Sequence, residues 1–250
     1  MRLPIIFLAW SVGIATLAFP QTSTKPGVLN LPMLPVPIVR TALPLTKALG
    51  EVGVNVRGGY TLFGVEMRLD KDNEPTVNLN VPAQSTLGDA LKQIFEQLPD
   101  YKFETVSEHM IIVYPKGALT DPNDVLNVRV AQFDAVNIHP SDLLFRPQEF
   151  IPELKARLNP QNPKNARPSG YVDGIHAAGA TTTVHLKNVT VRDILNAISQ
   201  AMDQFPADEP PLGWVYSFSP KPSSLQGETH AWMFLWSTPA TWKQAVSKHN

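Results

Sequence analysis

Apolar and polar residues alternate along several short stretches of the chain. In TVNLNV, at residues 76–81, Val77, Leu79 and Val81 alternate with asparagines. A period of two predicts a strand with one buried and one hydrated face. TTTVHLK at 181–187 alternates in the same way, and YTLFGVEM at 60–67 is rich in β-forming residues. These stretches therefore predict three strands.

Two amphipathic helices are predicted at similar stretches, TLGDALKQI at 86–94 and TVRDILNAI at 190–198. Apolar residues recur every three or four positions in both, which is typical of a helix lying on a sheet. Each begins with a threonine followed three residues later by an aspartate: Thr86 with Asp89, and Thr190 with Asp193. This spacing predicts a capping box, in which aspartate replaces the preferred glutamate.

Paired strands are predicted after each helix, as YKFETV with MIIVY and as WVYSF with HAWMFLW. The fold class is therefore predicted to be α+β, with two small units that each contain a β-α-β-β core. The first unit spans 43–116 and opens with a short helix that starts near Pro44 and ends at Gly53. The second unit spans 124–250 and adds a strand at 126–130 and a helix at 150–158. The repetition fits either duplication or convergence on one supersecondary unit.

The first residues have the pattern of a secretory signal peptide. Arg2 precedes an apolar run that ends near Ala18, where Thr16 and Ala18 provide the small residues of a cleavage site. We predict a signal peptide at 1–18; the alternative is an uncleaved membrane anchor, which would be the protein's only contact with a membrane. Residues 19–42 contain five prolines and little charge, which predicts a linker.

Composition excludes several classes of function. A net charge of −1 does not provide the basic surface that nucleic-acid binding requires. Cysteine is absent, which excludes disulfides, thiolate metal sites and cysteine nucleophiles. A chain with a signal peptide and without disulfides is predicted to be bacterial and either periplasmic or secreted.

Residues 77–115 resemble the short N-terminal domain that secretins share with TonB-dependent receptors. Val77 and Leu79 match its first strand, the Leu87–Leu91 segment matches its helix, and the hydrophobic strand closes at Pro115. The resemblance covers 43–116 well and 182–236 loosely. It implies a periplasmic contact module that acts through protein–protein interaction and has no catalytic residues. Nothing after residue 116 resembles a receptor barrel, a secretin pore or a plug.

The histidines are the remaining candidates for chemistry. None has a zinc-binding spacing, and His185 is predicted to point to the polar face of its strand. His176, His185 and His230 belong to the second unit and would have to converge to form a metal site. We predict no metal and no cofactor, and we keep a metal-dependent hydrolase as a third hypothesis.

Aromatic residues concentrate near the C-terminus, where Trp214, Trp232, Phe234 and Trp236 are candidate contacts for a partner or ligand. In HAWMFLW both faces are apolar, so a strand covered on both sides is the competing interpretation. The sequence therefore predicts a non-enzymatic binding or adaptor module for an envelope protein, which docks through an exposed strand edge. The alternative is a cell-wall or glycan-binding protein that uses these aromatics.

Overall fold

A computed structural model describes residues 27–33, 35–57, 61–70, 73–158, 181–201 and 213–219, together with the backbone of 229–235. The predicted signal peptide at 1–18 lies outside these residues.

Nine strands are present in this part of the chain: β1 (Ile38–Pro44), β2 (Leu62–Arg68), β3 (Thr76–Val81), β4 (Tyr101–Ser107), β5 (Met110–Pro115), β6 (Arg129–Ile138), β7 (Thr182–Thr190), β8 (Gly213–Ser219) and β9 (Thr229–Leu235). The helices described are α1 (Leu45–Val54), α2 (Leu87–Gln97), α3 (Pro140–Phe145), α4 (Pro147–Phe150), α5 (Pro152–Leu158) and α6 (Val191–Ala201). The fold is α+β, as predicted.

The central sheet has five strands in the order β4-β5-β2-β8-β9. β2 lies in the middle and runs parallel to both β5 and β8, while the two outer pairs are antiparallel. β1 with β3, and β6 with β7, form separate two-stranded antiparallel ribbons. Because both faces of β2 are covered, its residues from Leu62 to Met67 are all buried.

The central sheet separates two hydrophobic cores. On one face, Phe63 and Val65 of β2 pack with α1, α2 and the β1–β3 ribbon. On the opposite face, Leu62 and Trp214 pack with α3, α5, α6 and the β6–β7 ribbon. The alternation of side chains along β2 and β8 assigns neighbouring residues to opposite cores.

The predicted division between a first unit at 43–116 and a second unit at 124–250 runs through this sheet. β4, β5 and β2 come from the first unit, and β8 and β9 come from the second. The two units therefore share one central sheet. The hydrophobic pattern of β2 and β8 indicates burial on both faces, but it carries no information about which strand is the neighbour.

Part of the proline-rich segment 19–42 belongs to the fold, which differs from the linker that we predicted. Val28 and Met33 are buried, and β1 pairs with β3 from Ile38 onward. β1 lies at the edge of its ribbon, and an edge strand tolerates proline because one side of its backbone needs no ladder partner.

Local predictions at helix starts are confirmed. Thr86 accepts a hydrogen bond from the Asp89 amide at 3.1 Å, and the Asp89 carboxylate accepts one from the Thr86 amide at 2.9 Å. Thr190 and Asp193 form the same reciprocal pair at 3.2 and 2.8 Å. The hydrogen bonds that the Asp89 carboxylate accepts from the Thr86 amide and hydroxyl lower the pKa of Asp89.

The second strand region begins later than predicted. Val125–Asn127 is a short 3₁₀ helix, and β6 starts at Arg129. The Asp124 carboxylate accepts a hydrogen bond from the Leu126 amide at 2.8 Å, a local bond that competes with extended structure. In the first unit, α1 continues past Gly53 to Val54.

Candidate functional site

The four aromatic residues proposed as contacts for a partner or ligand do not share one location. Trp214 is 1% exposed, and its Nε1 donates a hydrogen bond to Asn196 Oδ1 at 2.9 Å. Trp232 and Phe234 lie on β9, opposite Tyr216 and Trp214 in register, and Trp236 lies outside the described residues. Trp214 is therefore a core residue and offers no surface to a partner.

The histidines are not gathered into a metal site in the described part of the chain, where no group of three potential ligands occurs. His185 points outward from β7, as predicted, and its Nδ1 lies 2.6 Å from Asp134 Oδ1. That contact lowers the pKa of Asp134, with a smaller contribution from Gln132. His230 lies on β9, and His176 lies outside the described residues.

The outer edge of β3 is closed by two side chains of α2. The side-chain amide of Gln93 accepts a hydrogen bond from the backbone N–H of Asn80 at 2.7 Å and donates one to the backbone carbonyl of Asn80 at 3.0 Å. Gln97 makes the same pair of bonds with Asn78, at 2.9 and 2.8 Å. The two glutamines therefore occupy the backbone groups that a neighbouring strand would otherwise use.

The outer edge of β4 is different, because no described strand lies beside it. The Lys116 amide donates to the Asp100 carbonyl at 2.7 Å, which makes these opposed residues a hydrogen-bonded pair. Bonded and non-bonded pairs alternate along an antiparallel ladder. The backbone groups of Phe103 and Thr105 consequently point away from β5, toward the open side.

A buried charge cluster links the two halves of the chain. Arg192, at the start of α6, donates from Nη1 to Glu66 Oε2 at 2.7 Å, and its Nη2 lies 3.8 Å from Asp124 Oδ2. Its Nη2 also lies 3.4 Å from Asn127 Oδ1. The side chains of Arg192, Glu66 and Asp124 are all 5% exposed or less. One guanidinium therefore contacts two carboxyl groups in a nearly dry environment.

Glu66 is the most strongly perturbed acid of this cluster. Burial, together with the hydrogen bond to Asp124, raises the pKa of Glu66 from 4.5 to about 8, although the positive charge of Arg192 acts in the opposite direction. A carboxyl group with such a pKa holds its proton at neutral pH and can donate a hydrogen bond.

A cleft of about 410 Å³ opens beside this cluster. It lies where β2 and β8 end, and its lining includes both charged and aromatic side chains: Glu66, Arg68, Asp121, Arg157, Tyr216 and Phe218. Arg68 Nη2 is 3.5 Å from Asp121 Oδ2, and both side chains are partly exposed. The cleft thus combines a strongly perturbed acid with cations at its mouth, a combination typical of binding sites.

Sequence reasoning missed this cluster, although a signal for it was present. Glu66 interrupts the otherwise apolar run of β2, and a charged residue there requires a buried partner. The partner, Arg192, is 126 residues away in sequence. Nothing in the local pattern around Arg192 distinguishes it from a solvent-exposed arginine on an amphipathic helix.

Among the described residues, no helix combines the length and apolar character needed to cross a bilayer. No protein-family model matches the chain. Searches of curated proteins and of solved structures likewise find no match.

Proposed function

We propose that this protein is a non-enzymatic binding or adaptor module, periplasmic or secreted, that acts through contacts with an envelope protein. The open edge of β4 is the observation that carries this proposal. A partner in extended conformation adds to β4 as a sixth strand and binds through the outward backbone groups of Phe103 and Thr105.

The contrast between two strand edges supports this choice of docking surface. The edge of β3 is occupied by the amides of Gln93 and Gln97, whereas Val106 at the end of β4 is 38% exposed and Thr105 is exposed beside it. Exposed edges promote unwanted pairing, and proteins commonly block them. This chain blocks the outer edge of β3 and leaves the outer edge of β4 open. The open edge is therefore suited to a specific partner.

The test removes one outward donor and keeps the β4–β5 ladder. Thr105→Pro eliminates the amide that faces the open side, and Thr105→Val keeps that amide and changes only the side chain. We expect immobilised Thr105→Val protein to retain the same envelope proteins as the unaltered chain, whereas Thr105→Pro loses them. Photo-crosslinking from position 106 in cells identifies the retained partner independently.

Circular dichroism on both variants confirms that they are folded before the comparison. Equal retention by the two folded variants would exclude β4 as the docking edge. A crosslink from position 39, on exposed β1, with none from position 106 would also contradict the proposal.

A further inference from the structure

The cleft beside Glu66 lies at the position where sheets of parallel strands commonly bind ligands. β2 runs parallel to β5 on one side and to β8 on the other, and the chain reaches these neighbours by connections that cover opposite faces. At such a point the connections diverge and leave a crevice outside the carboxyl ends of the strands. Arg68 and Phe218, at the ends of β2 and β8, line this crevice.

The cleft contains a guanidinium with no acidic partner among the described residues. Arg157 Nη2 donates to the carbonyl and amide oxygens of Asn123, at 3.3 and 3.2 Å, and to no carboxylate of the residues that the structure describes. Arg68 is held to Asp121 by a long contact of 3.5 Å between half-exposed side chains. Such an exposed pair contributes little stability, so Arg68 can exchange its partner for an incoming anion at small cost.

The interior of the cleft provides a neutral polar group and an apolar wall. Glu66 and Tyr216 are in register on adjacent strands, and both are buried residues of the cleft lining. Val125 and Phe218 supply apolar surface next to them. The charge of Arg192 is already engaged by Glu66 and Asp124, so the anion-binding capacity lies at the mouth, with Arg157 and Arg68.

We propose that this cleft binds a small organic acid, whose carboxylate pairs with Arg157 and Arg68 and whose apolar body lies against Val125 and Phe218. Guanidinium groups bind carboxylates through parallel hydrogen bonds, which gives both affinity and orientation. The volume of about 410 Å³ is in the range of small-molecule sites. The site is independent of the β4 edge, so either proposal can fail without the other.

Benzoate and benzamide test the requirement for an acid group, because they have nearly the same shape and differ in charge. Titrations of the full chain, followed by NMR chemical shifts, are expected to show benzoate binding at least tenfold more tightly than benzamide. Inorganic phosphate provides the third arm and is expected to bind more weakly than benzoate, because it lacks an apolar body. Equal affinity for benzoate and benzamide, or tighter binding of phosphate, would overturn the assignment.

Matched arginine variants locate the binding. Arg157→Gln is expected to weaken benzoate binding at least tenfold and to leave benzamide unchanged. Arg146→Gln is the control, because Arg146 is exposed, does not line the cleft and pairs with Asp142 and Glu149. Both sites are exposed, so both variants should retain the fold, as checked by thermal unfolding. Unchanged benzoate affinity in Arg157→Gln would refute the site.

Discussion

The indole of Trp214 occupies the space beside Gly64 that a side chain at position 64 would fill. A Cβ atom at that position would lie 2.6 Å from Trp214 Nε1, the atom that donates to Asn196. The tryptophan therefore connects β8, β2 and α6 at one point. The backbone of Gly64 has the conformation of an ordinary strand, which any residue can adopt. Glycine is therefore required at position 64 by the close approach of the indole.

Replacing Gly64 with alanine should force the indole out of place. We expect Gly64→Ala to lower the free energy of unfolding by about 1–3 kcal/mol, the usual cost of overpacking a core. Gly27→Ala is the matched control, because no described atom beyond the chain neighbours lies within 4 Å of a Cβ at position 27, and it should change stability by less than about 0.5 kcal/mol. Urea denaturation followed by circular dichroism measures both. Similar midpoints for the two variants would contradict this account of Trp214.

Leu91 and Leu195 occupy corresponding positions on the two similar helices, and each is completely buried, in a different core. Truncating either to alanine is expected to cost about 2–5 kcal/mol. Val39→Ala provides the comparison, because Val39 is exposed on β1 and its loss should have little effect. A near-neutral result for Leu91→Ala or Leu195→Ala in chemical denaturation would show that this leucine is not buried in its core.

Removing the positive charge of Arg192 from the buried cluster should lower the stability of the fold severely. Arg192→Met leaves Glu66 and Asp124 buried without a positive charge, and loss of one partner from a buried pair costs about 3–5 kcal/mol. Arg146→Met, at an exposed ion pair, is expected to cost less than about 1 kcal/mol. Comparable unfolding free energies for the two variants would mean that Glu66 and Asp124 are hydrated.

The raised pKa of Glu66 predicts that stability falls as the pH increases. Between pH 4.5 and about 8 the folded chain retains this proton while the unfolded chain has released it. The stabilisation is therefore complete below pH 4.5 and is lost toward pH 8, with a slope of at most about 1.4 kcal/mol per pH unit. Asp89 and Asp134, whose pKa values are lowered, affect the pH dependence of stability only below this pH range.

Glu66→Gln keeps the shape of the side chain and removes its titration. Urea unfolding of both proteins from pH 5 to pH 9 should give a difference in stability that grows in favour of the glutamine variant as the pH rises. A difference that stays constant over this range would show that Glu66 is ionised throughout.

Short-range features were the ones that the sequence predicted well. The capping boxes at Thr86 and Thr190 and the apolar stripes of α2 and α6 depend on residues three or four positions apart, so the local pattern contains them. The α+β class follows from the same patterns. The end of the proline-rich segment was missed because β1 lacks a clear period and is recognisable only from its pairing with β3.

The candidate sites depend on residues that are distant in sequence. Glu66 and Arg192 meet only because β8 joins the sheet next to β2 and brings α6 over it. The open edge of β4 likewise depends on the strand order of the whole sheet. Periodicity indicates which face of a strand is buried, but not which strands are neighbours, so local patterns could not identify the partner of Glu66 or the open edge of β4.

β2 also sets the order in which the chain can fold. Its two neighbours are β5 at 110–115 and β8 at 213–219, which are far apart in sequence. The sheet therefore stays incomplete until both strands have been synthesised. Until β8 arrives, Trp214 is absent from the groove above Gly64, and the sheet against which α6 holds Arg192 beside Glu66 is incomplete. A nascent chain of this design cannot complete its central sheet or its second core until late in its synthesis. That delay would keep the polypeptide threadable through a membrane channel, which is the condition that the proposed export requires.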